Sequence, residues 1–224
     1  MDFGRLRDVR LKAACWIALF VIQVLLMIFF VTGEDVHEYL AFPFVLLAAL
    51  HLAIAGWWFK WFRLQWGSVP QAVNSAVSLL LIADLLAAFV SGLLISRYAT
   101  PFLRVRAWQP WLLPTHMVTT FWCLTLSLAH AGLHFSSALS QFWRRGLPRW
   151  AKIVSGAVLA LWTAYGIRVF FELGIWKYLI RRVAFYNFDA DIPEYVWLFQ
   201  FTSVAVAIGV LAWCAGALLK RVRS

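Results

Sequence analysis

Apolar and polar positions alternate along the chain in six long cycles. Apolar runs near 13–32, 37–59, 73–96, 112–136, 152–173 and 196–219 are separated by short polar segments. About 20 apolar residues form a helix long enough to cross the hydrocarbon core of a bilayer. The pattern therefore predicts an all-α protein, a polytopic membrane helical bundle of six transmembrane helices. The alternating strands that a closed transmembrane barrel requires do not appear. The first run follows Arg5, Arg7, Arg10 and Lys12, as a secretory signal would. Its length from Ala13 to Thr32, with no small-residue cleavage site after it, favours a retained span. Between the last two runs, "GIWKYLIRRVAFYNFDADIPEY" (174–195) interleaves apolar residues with Lys177, Arg181 and Arg182. This spacing fits an amphipathic helix on the outer membrane surface followed by a short acidic loop. Trp176, Tyr186, Tyr195 and Trp197 fit interface anchors, and Asp189 and Asp191 read as a solvated turn rather than a metal site. The chain reads as a single membrane domain, 1–224, with a four-helix core over 10–140 and two additional helices over 141–224.

Composition excludes an ordinary soluble protein, with 63% hydrophobic residues, 13% charged residues and a mean hydropathy of +0.79. A net charge of +10 raises the question of nucleic acid. The basic residues, however, cluster between the apolar runs instead of lining one polar face, so they read as topology signals and contacts to membrane lipid, with no nucleic-acid partner. Of the 20 Lys and Arg residues, 13 fall on one side of a six-span arrangement, in the two tails and the loops 60–72 and 137–152. This places both termini in the cytoplasm. Cys15, Cys123 and Cys214 are isolated within apolar runs, which leaves no disulfide framework, CxxC metal site or CxxCH haem attachment.

The histidines change the picture. His37 and His51 lie 14 residues apart in the second run, and His116 and His130 lie 14 apart in the fourth. Fourteen steps of about 100° return a side chain to within roughly 40° of its starting direction and carry it about 21 Å along the axis. Each pair thus marks one helix stripe with a member near each side of the membrane core. In six alternating spans the second and fourth run parallel, so His37 comes level with His116 and His51 with His130. Facing imidazoles at two levels of a helical bundle are the arrangement that holds two b-type haems, each iron taking one neutral ring nitrogen from each helix. Ala41, Phe44 and Ala48 follow His37 at helical intervals, and Thr120, Cys123 and Ser127 follow His116. These mostly small side chains leave room for a flat macrocycle, although small residues also promote helix packing by themselves. The competing reading of any one intramembrane histidine is a satisfied polar residue or part of a proton path.

The segments "VHEYLAFPFVLLAALH" and "HMVTTFWCLTLSLAHAGLH" make the chain resemble the membrane di-haem cytochrome b proteins, in which two helices each carry H-x13-H. In detail it is most similar to the bacterial flavinylation-associated cytochrome family, over roughly residues 10–140. The resemblance implies a multi-pass protein of the bacterial cytoplasmic (inner) membrane that moves electrons for a redox partner. The last two runs carry no matching motif, and no flavin-attachment sequence is present.

His134 stands 18 residues after His116, in the same helical direction and one turn beyond His130. A donor to a haem propionate, a quinone-site residue and a substitute for His130 are all open to it, with a role beside the ligand or at a quinone favoured. Asp84 is the one carboxylate deep within a run. It reads equally as a proton-handling group at a quinone pocket or as a hydrogen-bonded carboxyl that fixes packing. Arg97, Arg104 and Arg106 on the outer side, and Arg63 on the inner, are candidates to neutralise haem propionates or to meet headgroups. Gly56 and Gly92 would allow close approach of a helix or macrocycle.

The expectation is a di-haem cytochrome b that carries electrons across the bilayer between a quinone pool and a redox protein subunit or carrier, as the membrane part of an oxidoreductase. The alternatives are a proton- or metal-translocating transporter built on the histidines and Asp84, and a membrane anchor or assembly factor without cofactors.

Overall fold

A computed structural model describes residues 3–54, 68–144, 148–183, 189 and 191–221. All regular structure among them is helical. In chain order the elements are α1 (Phe3–Met27), α2 (Phe29–Thr32), α3 (Glu34–Ile54), α4 (Val69–Ile95), two 3-10 turns (Pro101–Leu103 and Arg106–Trp108), α5 (Gln109–Arg144), α6 (Arg149–Glu172), α7 (Ile175–Leu179) and α8 (Glu194–Arg221). Five of the described helices, α3, α4, α5, α6 and α8, are long and apolar enough to cross a membrane. The first expected run differs from the other five. Its apolar helical stretch covers Leu11–Met27, and the backbone turns at Ile28 (φ −100°, ψ 39°) before α2 begins. A hydropathy average passes over such a break because Ile28, Phe29 and Phe30 are as apolar as the helix before them.

By its internal contacts the chain forms two compact units, Met1–Leu64 with Phe89–Leu112, and Gln65–Ala88 with Leu113–Ser224. The boundary falls within α4 and within α5. α6 and α8 belong to the same unit as most of α5.

In the first unit α1 and α3 pack side by side. The Cys15 thiol points to the Leu47 carbonyl at 3.7 Å. Gly33 joins α2 to α3 with φ +100°, a conformation that favours glycine, and a Cβ there would lie 2.8 Å from Asp35 Oδ1. The connector after α4 is tied to α3 through Glu38. Its carboxylate accepts the Ser96 hydroxyl at 2.7 Å and the backbone N–H groups of Arg97 (2.8 Å), Tyr98 (2.7 Å) and Ala99 (2.9 Å). Charge-assisted hydrogen bonds of this kind are each worth about 1.5–3 kcal/mol. Glu38→Ala is therefore expected to destabilise the protein by about 2–4 kcal/mol, since the freed N–H groups regain some water. Thermal unfolding in detergent, with amide exchange at Tyr98 and Ala99, checks this; unchanged protection at those two amides contradicts it.

In the second unit α6 and α8 make the closest helix pairing. Gly166 on α6 faces the backbone of Ser203 on α8, so that a Cβ added at Gly166 would overlap the Ser203 carbonyl oxygen. Gly132 on α5 meets the Gly209 carbonyl of α8 in the same way. The Trp162 indole donates to Ser203 Oγ at 2.8 Å, and Ser203 Oγ donates to the Phe199 carbonyl at 2.6 Å. Small residues at such crossings let helix backbones approach without a hydrophobic driving force between them.

The expected amphipathic segment is described only in part. Its described helix, α7, has five residues, and Ile175 and Tyr178 are buried. Tyr178 stacks on Phe121 of α5 with ring centroids 4.3 Å apart, and the Trp122 indole donates to the Leu179 carbonyl at 3.0 Å. Lys177 and Arg182 lie over the Trp176 ring. Trp197 departs from the interface-anchor expectation: it is buried at 4% exposure, with its indole donating to the Asp189 carbonyl. Tyr195 is exposed as expected, and Tyr186 lies outside the described residues. Asp189 Oδ1 accepts the Asp191 N–H at 3.0 Å, the geometry of an Asx turn.

Candidate functional site

The first unit holds His37 and His51, both on α3. His37 sits one turn into α3, where the reversal through α2 and Gly33 returns it to the end of α1. Its Nδ1 lies 2.9 Å from the Leu26 carbonyl, one of the last four carbonyls of α1 and so one that a helix end leaves short of partners. A carbonyl only accepts, so Nδ1 carries the proton, and in the neutral ring the lone pair resides on Nε2. Phe29 of α2 packs edge-on against the same ring at 5.6 Å.

His51 is held in the opposite sense. The Trp16 indole Nε1 lies 3.1 Å from His51 Nδ1. An indole N–H only donates, so here Nδ1 supplies the lone pair and the neutral ring carries its proton on Nε2. The two stripe positions of α3, equivalent in sequence, thus differ in tautomer. Pro43 lies between them inside the helix and removes one backbone donor from that stretch.

His116, His130 and His134 lie on α5 in the second unit. His116 Nδ1 is 2.9 Å from the Ala88 carbonyl of α4, which repeats the His37 arrangement. His130 Nδ1 is 3.1 Å from Ser78 Oγ. The Ser78 hydroxyl also reaches the Asn74 carbonyl at 2.7 Å; with its proton there, Ser78 accepts and His130 Nδ1 donates. His37, His116 and His130 therefore share one protonation pattern, with Nδ1–H anchored and Nε2 as the lone-pair nitrogen. This is the arrangement that orients a metal-ligating imidazole and raises its basicity. His134 packs against His130 with ring centroids 4.5 Å apart and a tilt of 58°, as the one-turn spacing expects.

Asp84 lies on α4 within electrostatic range of Cys123 on α5. Its Oδ2 is buried without a hydrogen-bond partner among the described residues, as is Asn74 Oδ1 on the same helix. Arg97 pairs with Glu34 at 3.5 Å, and both side chains are about half exposed. Such a pair contributes at most about 1 kcal/mol and does not fix the guanidinium firmly. Arg104 approaches the Gln109 side-chain oxygen at 2.7–2.8 Å once that amide is turned. Arg63 and Gly56 lie outside the described residues. Among the described residues no three His, Cys, Asp or Glu side chains gather as an ion site; axial ligation of a haem asks for only two histidines per iron.

Three participants were not anticipated from the sequence: Trp16, Ser78 and Glu38. Ser78 and Trp16 sit in apolar runs where a hydroxyl and an indole are unremarkable by composition. The adjacency of Glu38 to His37 at the polar edge of the second run was the one available signal for Glu38.

No family model, curated protein or solved structure matches the chain.

Proposed function

We propose that the chain is a membrane cytochrome b that holds two haems and passes electrons across the bilayer between a quinone pool and a redox partner, as the membrane subunit of an oxidoreductase. The carrying observation is the shared Nδ1 anchoring of His37, His116 and His130. Hydrogen bonds that fix the ring and direct the Nε2 lone pair are what a metal-ligating imidazole requires. By sequence spacing, His37 pairs with His116 as ligands of the outer haem and His51 with His130 as ligands of the inner. In this reading the apolar stretch before Ile28 completes a sixth span, both termini are cytoplasmic, and the membrane is the bacterial inner membrane. The resemblance to flavinylation-associated cytochromes belongs to the same proposal.

Haem b supplies a one-electron iron couple, and ligation by two histidines leaves no open coordination position. The protein's part is to fix four imidazoles and to surround them with apolar side chains of low polarity. By their sequence positions, Arg97 and Arg63 are the candidates to neutralise propionates. His134 and Asp84 are the groups suited to hydrogen-bond a quinone and to handle its proton.

Ser78 gives this reading a test separate from the ligands. Ser78→Ala removes the acceptor of the His130 Nδ1–H, and haem retention at that site is expected to weaken about tenfold. Haem lost during dilution and gel filtration measures it; full retention contradicts the anchoring role. The quinone link is tested by adding a short-chain quinol anaerobically to the purified protein. Appearance of the reduced b-type bands supports it, and bands that form with dithionite but never with quinol contradict it.

The second reading, a proton or metal translocator, draws on the buried, unpartnered Asp84 Oδ2 and Asn74 Oδ1. It differs in predicting transport by the haem-free chain in vesicles.

A further inference from the structure

His51 is the one proposed ligand whose placement does not fit ligation as it stands. Iron bound at Nε2 of a neutral imidazole requires the ring proton on Nδ1. The Trp16 indole N–H points at that same Nδ1 from 3.1 Å, so a proton there would face another proton. Ligation at Nε2 therefore requires the Trp16–His51 bond to break and the ring proton to move from Nε2 to Nδ1.

The contact is built into the helix pair. Trp16 follows Cys15, whose thiol reaches the Leu47 carbonyl one turn before His51, so the two residues hold α1 and α3 in register at this level. The rings meet edge-on, with centroids 6.2 Å apart and planes at 61°. At the other end of α3 the corresponding partner of His37 is a carbonyl, which selects the opposite tautomer.

We propose that Trp16 is a positioning residue that holds His51 in the non-ligating tautomer and makes the inner haem site conditional. His37 and His116, both already in the ligating tautomer, would hold haem first. His51 would ligate second and be lost first, because binding through its Nε2 would require the Trp16 indole to let go of Nδ1. This inference rests on the haem reading of His51, yet its premise about the ring proton stands by itself and is measurable without haem.

The experiment uses the full-length protein in detergent, prepared haem-free with 15N-labelled histidine, as wild type and as Trp16→Phe. Phenylalanine keeps an aromatic ring at the position and removes only the donor. Nitrogen shifts, with His51 assigned by the loss of its signals in His51→Gln, report the tautomer directly. The expected result is Nε2–H alone at His51 in the wild type and a mixture that includes Nδ1–H in Trp16→Phe, where the indole donor no longer opposes it. Haem titration of the same preparations is expected to show a tight first site that is equal in both, and a second site about tenfold tighter in Trp16→Phe. A wild-type His51 that already carries Nδ1–H overturns the proposal. So does a second site that Trp16→Phe leaves unchanged or weakens. If the tautomer population shifts as expected but neither protein takes up haem, the cytochrome reading is what fails, and the role assigned to Trp16 falls with it.

Discussion

His116→Ala is expected to cost the purified protein about half of its haem, with the remaining haem still low-spin. The expectation follows from pairing. In the proposed pairing each iron would take two imidazoles, so losing one would leave that haem weakly held, while a second haem about 20 Å along the helix axis would be untouched. His37→Ala should give the same loss, and His37→Ala combined with His116→Ala should lose no more than either alone, because the proposal assigns both to one iron. His116→Ala combined with His130→Ala should lose both haems. Misfolding is separable from ligand loss here, because the packing of α5 runs through Phe121 and Gly132, and neither residue depends on the imidazole. Retention of two low-spin haems by each of the four single variants contradicts the pairing.

Gly166→Ala should be the most damaging single-methyl change in the second unit. The added carbon would overlap the Ser203 carbonyl and approach Ala207 Cβ to 2.9 Å. A backbone carbonyl cannot rotate aside, so α6 and α8 must separate, and the Trp162–Ser203 hydrogen bond is strained as they do. Overpacking of this kind costs about 1–3 kcal/mol, and the value expected here is near the upper end. Gly209→Ala is the control, since the nearest atom to a Cβ there is the Leu128 carbonyl at 4.0 Å; it should leave stability within about 0.5 kcal/mol. Thermal unfolding of both variants in one detergent decides the matter. Equal midpoints for Gly166→Ala and wild type would show that the helices part without cost.

These two predictions draw on different parts of the sequence record. The helical membrane character, the long apolar helices and the presence of two histidines on α3 and three on α5 were legible because hydropathy and spacing are properties of one segment at a time. The glycine contacts were not, because a glycine in an apolar run gives no sign of which helix approaches it. The same limit hid Trp16 and Ser78: whether an indole or hydroxyl meets a histidine 35 or 52 positions away depends on the rotation and register of two helices. Trp197 was assigned to the membrane interface from residue type, but its neighbours on α8 turn it inward, with its indole on the Asp189 carbonyl. The break at Ile28 is set by backbone angles that no polar or small residue announces.

The difference between His37 and His51 shows most plainly what spacing leaves out. Fourteen residues give the two rings nearly the same direction, yet direction alone does not choose a tautomer. A carbonyl beside one ring and an indole beside the other make that choice, and the tautomer decides which nitrogen can bind a metal.

The most direct test of the central claim is a reduced-minus-oxidised visible spectrum of the detergent-purified protein, with haem quantified per chain. The account predicts the bands of low-spin b-type haem and about two haems per chain, falling toward about one under prolonged washing as the inner site empties. Carefully prepared protein that carries no haem, and takes none up when haem is supplied, contradicts it.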